Sequence, residues 1–404
     1  AGTFRLRAAA GDGRMAHAVT DMIEGPRPVR PSEYPSLLKL VNDLLLDPSD
    51  TRGLEEMYPA HMGPSNLANL WVMVEDKRVV SHVGVSKCAL SILDVRVPVV
   101  LMGSVATDRK YRGLGLASRM LDHVRRRHDR EGFDLYMISG DRDLYRRMGA
   151  ARAGCLIRYV LKPAALAPFA HPDVSVRPAA PGDMRTVATL HRRERLRVVR
   201  SPEDFRRVFR TGWAGLTPVR IFVAEAAGAV TAYFVMGVTR KLGGPPAGGR
   251  LAVTEAAGSR PDLLAALHDA CKKWNKRRVE LSVSPTDRDM LALLSGRHLS
   301  ELRVPVYNST ALINFPRLVH RLRPLLAARA GPPARGIVGT EHLGRMELRL
   351  GGRRLACAPE RMVRLLFGEP HRDRPPGLHA GGTLGRVVRA AFPVPLANPG
   401  INYV

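Results

Sequence analysis

The sequence predicts an α/β (α+β) protein: two tandem copies of one mixed-sheet unit, followed by a smaller α+β block. Three observations predict it. Short β-branched runs alternate with amphipathic helical stretches, as in sheets covered by helices. The order of elements that starts near Val29 recurs from Val176 at similar spacing, which reads as an internal duplication. From about Val306 the pattern changes to one long helix, a Gly331-Pro332-Pro333 break and a short strand pair. A length of 404 residues suits two to three domains of roughly 150 residues each.

The elements follow in chain order. Residues before about Val29 read as an N-terminal extension, 1–27. Pro28 to Pro31 reads as a short strand, and Ser36 to Leu46 as a helix with leucines at helical spacing. Leu70 to Val74 and Arg78 to Val85 read as strands joined at Glu75-Asp76-Lys77. Val95 to Thr107 is apolar and β-branched, a buried strand with Pro98 at its entry. A basic, glycine-containing loop follows, then a helix from Leu116 to Arg130 with Leu116, Met120, Leu121 and Val124 on one face. Phe133 to Ile138 is a strand, Leu144 to Met148 a short helix, and Ala153 to Leu161 a closing strand. Pro163 to Pro172 reads as a linker. The second unit brings strands at Arg220–Ala226, Val230–Val238, Leu251–Ala256 and Val279–Val283, with helices at Asp262–Trp274 and Asp289–Leu294. The last block carries a helix at Phe315–Ala328, strands at Met346–Leu350 and Arg353–Ala356, and a helix at Pro359–Phe367.

Composition narrows the function classes. An apolar fraction of 45% with 25% charged residues excludes wholesale disorder and a polytopic membrane protein. No run of about 18 apolar residues occurs, so no membrane span is expected. The net charge is +26, carried by 54 Arg and only nine Lys. The arginines are scattered through periodic segments with no basic tail, so coding bias explains them better than a polyanion partner, and no nucleic acid is expected. Cys88, Cys155, Cys271 and Cys357 are too far apart for a zinc knuckle or redox dithiol, which fits a reducing, cytoplasmic compartment. No metal site is expected.

The informative segment is Gly103 to Leu121, GSVATDRKYRGLGLASRML. A buried strand ends in the loop Tyr111-Arg112-Gly113-Leu114-Gly115-Leu116-Ala117, where a helix starts. Backbone N–H groups at a helix start lack intrahelical partners and carry the positive dipole end, so they suit an anion. Gly113 and Gly115 allow the backbone to approach it closely, and Arg109, Lys110 and Arg112 add charge. A diphosphate is the natural guest. A dinucleotide-binding fingerprint needs a third glycine where Ser118 stands, and a Walker loop needs a GK[ST] that is absent.

Arg112-Gly113-Leu114-Gly115-Leu116-Ala117, preceded by Val105-Ala106-Thr107-Asp108, resembles the coenzyme-A loop of the Gcn5-related N-acetyltransferases. Asp143-Leu144-Tyr145-Arg146-Arg147-Met148-Gly149-Ala150 resembles a segment of the enhanced-intracellular-survival family of bacterial acetyltransferases, with Gly149-Ala150 departing from that family's Gly-aromatic pair. The resemblance implies two tandem acyl-CoA N-acyltransferase folds, catalytic at 28–165 and degenerate at 166–305, then a sterol-carrier-like domain at 306–404. It also implies acetyl-CoA as co-substrate, an amine acceptor and a homo-oligomer, a hexamer. The second unit's loop, Ala256 to Asp262, lacks the Arg-x-x-Gly-x-Gly pattern, so no coenzyme A is expected there.

The same resemblance assigns roles. Gly103, Ser104 and Val105 would run beside the pantetheine, with the Val105 N–H polarising the thioester carbonyl. Tyr111 to Ala117 would hold the diphosphate, and Gly140 and Asp141 would lie near the cofactor. Tyr145 would be the general acid, since a phenol can protonate a departing thiolate near pH 7. The carboxylate of the last residue of the sequence, Val404, would be the general base. His82 reads better as a sheet histidine than as a base, and Glu55 and Glu56 as a solvated helix face. The function expected is acetyl transfer to a primary amine; the alternative is a non-catalytic acyl-CoA or lipid-binding protein.

Overall fold

A computed structural model describes residues 23–238, 249–297, 299–369 and 382–402. In the first third the strands are β1 (Glu24–Pro28), β2 (Leu70–Glu75), β3 (Arg78–Ile92), β4 (Val95–Thr107), β5 (Leu135–Ile138) and β6 (Ala151–Ala153). Next come β7 (Leu156–Leu161), β8 (Val174–Pro178), β9 (Leu196–Val198), β10 (Trp213–Ala214), β11 (Thr217–Ala226), β12 (Ala229–Gly237), β13 (Arg250–Gly258) and β14 (Arg278–Val283). The last are β15 (Ser300–Val304), β16 (Tyr307–Leu312), β17 (Val338–His342), β18 (Arg345–Leu350) and β19 (Arg353–Cys357).

Two large mixed sheets and one small sheet result. The first has the order β1-β2-β3-β4-β5-β16-β6, with β9 also on β3, and the second β10-β11-β12-β13-β14-β7-β15, with β8 on β11. In both, antiparallel pairs lead to one parallel pair, β4 with β5 and β13 with β14. The duplication expected from the sequence is thus visible as one pairing pattern used twice. The small sheet is β17-β18-β19.

Three local expectations change. The first strand lies at Glu24–Pro28 rather than at Pro28–Pro31; it is an edge strand on β2, where proline's missing N–H costs no ladder bond. The strand expected over Ala153–Leu161 is two strands, because Gly154 at φ +74° breaks it. β6 stays in the first sheet while β7 crosses into the second, and β16 crosses back to lie between β5 and β6. The strand expected to end at Val85 runs on to Ile92 and pairs with the whole of β4.

Burial explains the layers. In the helix Leu116–Arg130, the residues Leu116, Met120, Leu121, Val124 and His128 form the buried stripe against the first sheet. The opposite face, with Val99, Leu101, Leu135 and Met137, packs on the helix Phe315–Ala330 through Leu318, Leu322 and Leu326. Each such side chain contributes about 1.5–3 kcal/mol by leaving water. Asp134, fully buried at the start of β5, pairs with Arg317 and Arg321 of that helix, each at 2.7 Å. The second sheet has its own core around Phe222, Phe234, Leu264 and Leu281.

Candidate active site

The site grows from a bulge in β4. Between His82 and Gly84 of β3 lies one residue, whereas between their partners Ala106 and Gly103 lie two. The extra residue puts Ser104 at φ +54°, a left-handed conformation that L residues adopt rarely. β5 accompanies β4 only from Val99 to Met102, and the Ser139 N–H closes the pairing on the Met102 carbonyl at 3.0 Å. Beyond that point β4 continues to Thr107 without β5, and this edge of Ser104 to Thr107, unpaired with β5, forms a slot. The Val105 carbonyl, on this edge, accepts from Arg142 Nη1 at 3.3 Å.

At the far end of β4 the chain makes a turn at Arg109–Tyr111, with Asp108 accepting from the Lys110 N–H at 3.0 Å. Gly113 and Gly115 follow at φ +83° and +73°, each with open space where a Cβ would be. Gly115 caps the helix Leu116–Arg130 and has no side chain to bond its first N–H groups. Arg112 is exposed and bonds the Thr107 carbonyl through Nε at 3.2 Å. Tyr111 turns its hydroxyl to Glu75. The loop therefore presents a helix start without a capping side chain and a guanidinium beside two positions where only glycine sits without strain. These features fit a diphosphate.

Tyr145 lies in a short helix after β5 and is 4% exposed. Its ring packs on Gly140, where an added Cβ would meet Tyr145 Cε2 at 2.9 Å. Burial pushes the Tyr145 phenol up, and the Arg142 guanidinium pulls it partly back, so it stays in the proton-bearing form. Asp141 is exposed and its carboxylate is held by Arg146 and Arg152 at 3.2 and 2.9 Å. Val105, Leu116 and Tyr145 share one apolar cluster, with Tyr111 and Leu114 packed against it. The structure thus sets Tyr145 in one apolar cluster with Val105, with Gly140 against the Tyr145 ring and Gly103 and Ser104 just before Val105 in β4. Val404 lies outside the described residues.

A second feature was missed in the sequence. On the other side of β3 a pocket of about 200 Å³ is lined by His61, Ser86, Leu101, Trp213, Ile401 and Asn402. His61 Nδ1 lies 2.9 Å from Ser86 Oγ. The Nε2 atoms of His61 and His82 lie 2.8 and 3.1 Å from the place of a Cβ on Gly84, with the Gly103 carbonyl at 3.2 Å. Both imidazoles are buried, and burial lowers them to about 4 and about 3, so both are neutral at pH 7. His82 also faces the Trp71 carbonyl, which can only accept, so its Nδ1 carries the proton. No local pattern announces His61, because its partner Ser86 is in β3 and the other pocket residues come from the second sheet and the last described turn.

Comparison with known proteins bears on this geometry. Residues 26–153 match the family described as an acetyltransferase (GNAT) domain. No curated protein matches. Among solved structures, a GCN5-related N-acetyltransferase from Kribbella flavida is 16% identical, with a TM-score of 0.63 over 93% of this chain and 98% of that one. A GCN5-related N-acetyltransferase from Anabaena variabilis is 13% identical, with a TM-score of 0.63 over 92% of this chain and 98% of its own. Eis1 from Mycobacterium abscessus is 12% identical, with a TM-score of 0.61 over 93% of this chain and 99% of its own. At such identities the likeness is one of fold: tandem GNAT folds with a further α+β region. The domain match makes the chain an acyltransferase, and GNAT domains take acetyl-CoA as co-substrate. Among the described residues, no helix is long and apolar enough to cross a membrane.

Proposed function

We propose that the protein transfers the acetyl group of acetyl-CoA to a primary amine by direct attack. The observation that carries this reading is the bulged β4 edge at Ser104–Val105, unpaired beyond β5 and leading to a helix start whose cap, Gly115, has no side chain. Acetyl-CoA would supply an activated acyl carbon. Tyr111 to Ala117 would bind the diphosphate, and Gly103 to Val105 would lie along the pantetheine, near Gly140 and Asp141. The Val105 N–H would stabilise the oxyanion. The acceptor would enter the pocket beside His61 and Ser86. As the N–C bond forms and the C–S bond breaks, Tyr145 would give its proton to the thiolate. The terminal carboxylate of Val404 would take the proton from the amine. Its neighbours Ile401 and Asn402 in the pocket wall support that role.

In the second unit the equivalent turn is filled from within the chain. The Glu194 carboxylate there already accepts from the Gly258 N–H at 3.2 Å and from Arg260 at 2.8 Å. The reading includes the division at 28–165, 166–305 and 306–404, a sterol-carrier-like last block, a cytoplasmic location and a homo-oligomer. A thiol-release assay with acetyl-CoA and a panel of amines tests it. Release should depend on the amine and fall about 10²-fold or more in Tyr145→Phe. It should vanish when residues are added after Val404. No release with any amine would end the reading.

A further inference from the structure

The chain's last described turn is held by the second sheet rather than by the first. β13 carries a bulge matching that of β4: Val235 and Met236 of β12 are adjacent, while their partners Glu255 and Val253 flank the extra residue Thr254. β14 accompanies β13 only as far as Val253. A second slot therefore opens at the place equivalent to the Ser104 edge, and it widens into a cavity of about 1330 Å³. The chain's own tail uses it. Leu396 and Asn398 line that cavity, and Asn398 Nδ2 donates to the Thr254 carbonyl at 3.2 Å.

A buried ion pair then grips the next residues. Arg200 Nη1 and Glu255 Oε1 lie 2.6 Å apart, with 1% and 9% of their side chains exposed. Tyr233 donates to the same carboxylate oxygen at 2.7 Å. The remaining groups of the pair are spent on the tail. Arg200 Nη2 donates to the Pro399 carbonyl at 2.7 Å, and Arg200 Nε donates to Asn402 Oδ1. Glu255 Oε2 accepts from the Ile401 N–H at 3.3 Å. Gly400, at φ +54°, passes so close that a Cβ would lie 1.9 Å from Glu255 Oε2. Burying two charges is costly, and apolar residues would stabilise a core as well. A pair whose Nε, Nη2 and free carboxylate oxygen meet one distant segment is better explained by holding that segment.

We infer that the second unit has turned its cofactor-type slot into a clamp for the tail, with Arg200 and Glu255 as positioning residues that set Ile401 and Asn402 as a wall of the acceptor pocket. The inference rests on the proposed acetyl transfer only in calling that pocket the acceptor's.

The test uses the full chain with Gly400→Ala, which leaves Arg200 and Glu255 in place, and Arg200→Ala beside it. In both variants, amide exchange at residues 400–402 should quicken about tenfold or more. The KM for the amine should rise about tenfold, with the KM for acetyl-CoA within about twofold of wild type. A merely structural role would move both KM values together. Unchanged exchange in Gly400→Ala overturns the clamp. Faster exchange with an unchanged amine KM overturns the wall. Should Arg200→Ala not fold, Gly400→Ala carries the test alone. A wild-type protein inactive with every amine sinks the acetyl-transfer reading, and the exchange experiment still decides the clamp.

Discussion

The ring of Tyr145 rests on Gly140 so closely that a single methyl group there would stand 2.9 Å from Cε2. Gly140 lies two residues beyond the end of β5, and Arg142, between it and Tyr145, reaches the Val105 carbonyl. Gly140 thereby fixes the height of the phenol above the slot. In Gly140→Ala we expect kcat to fall about tenfold or more, with the melting temperature little changed, because a displaced acid loses alignment before the fold loses stability. Steady-state kinetics beside a thermal melt measure both.

The pH dependence follows from the burial of Tyr145. Its phenol is raised above the ordinary value of 10, with burial as the main cause. A general acid works only while protonated, so activity should not decline on the alkaline side below pH 10 through this group. A kcat profile that falls between pH 7 and 9 in wild type, and no longer falls in Tyr145→Phe, would contradict the assignment.

Gly113 and Gly115 both hold left-handed conformations with empty space around them. Alanine at either would meet backbone strain of roughly 1–2 kcal/mol without any clash. We expect Gly115→Ala to raise the KM for acetyl-CoA about tenfold while leaving the KM for the amine nearly unchanged. The opposite split would move the nucleotide away from this loop.

His61 and His82 are neutral in the folded protein, lowered to about 4 and about 3 by burial. An unfolded histidine titrates near 6.5. Between these values the unfolded chain binds more protons, so stability is lost as pH falls below about 6.5 and continues to fall until about pH 3. His128 and His191, both lowered to about 4, act in the same direction. Thermal melts from pH 7 to pH 4 should show this slope, and it should be shallower in His61→Gln with His82→Gln. An unchanged slope would mean that the pair is not neutral when folded.

Asp134 joins the first sheet to the helix Phe315–Ala330 through Arg317 and Arg321. Removing the carboxylate takes a partner from two half-buried guanidiniums, which costs about 1–3 kcal/mol. Asp134→Ala should lower the melting temperature by several degrees, while Asp134→Asn, which keeps an acceptor, should lower it less. Differential scanning calorimetry separates the two.

Much of the first unit was legible in the amino-acid order. The helix Leu116–Arg130 and the loop before it occupy one contiguous stretch, and their glycines carry a local backbone requirement that spacing alone reveals. The strands β11 to β14 were legible for the same reason, since each repeats apolar residues at strand spacing. The helix Pro202–Thr211 went unread, although Ser201 and Asp204 form a capping box, because its apolar stripe is only Phe205, Val208 and Phe209. The left-handed Ser104 gave no sign, since the bulge is a mismatch between two strands and neither strand records it alone.

Local pattern by itself determined the glycine turn after β4, the duplicated run of strands and the apolar stripe of the helix that starts at that turn. Each depends on neighbours within a few residues, where steric and periodic rules act directly. Only the tertiary structure decided that β7 and β16 trade sheets, that His61 meets His82 over Gly84, and that Arg200 holds Asn402. Those contacts join segments far apart in the chain, and they exist because packing the sheets brings them together, an effect no short window of residues encodes.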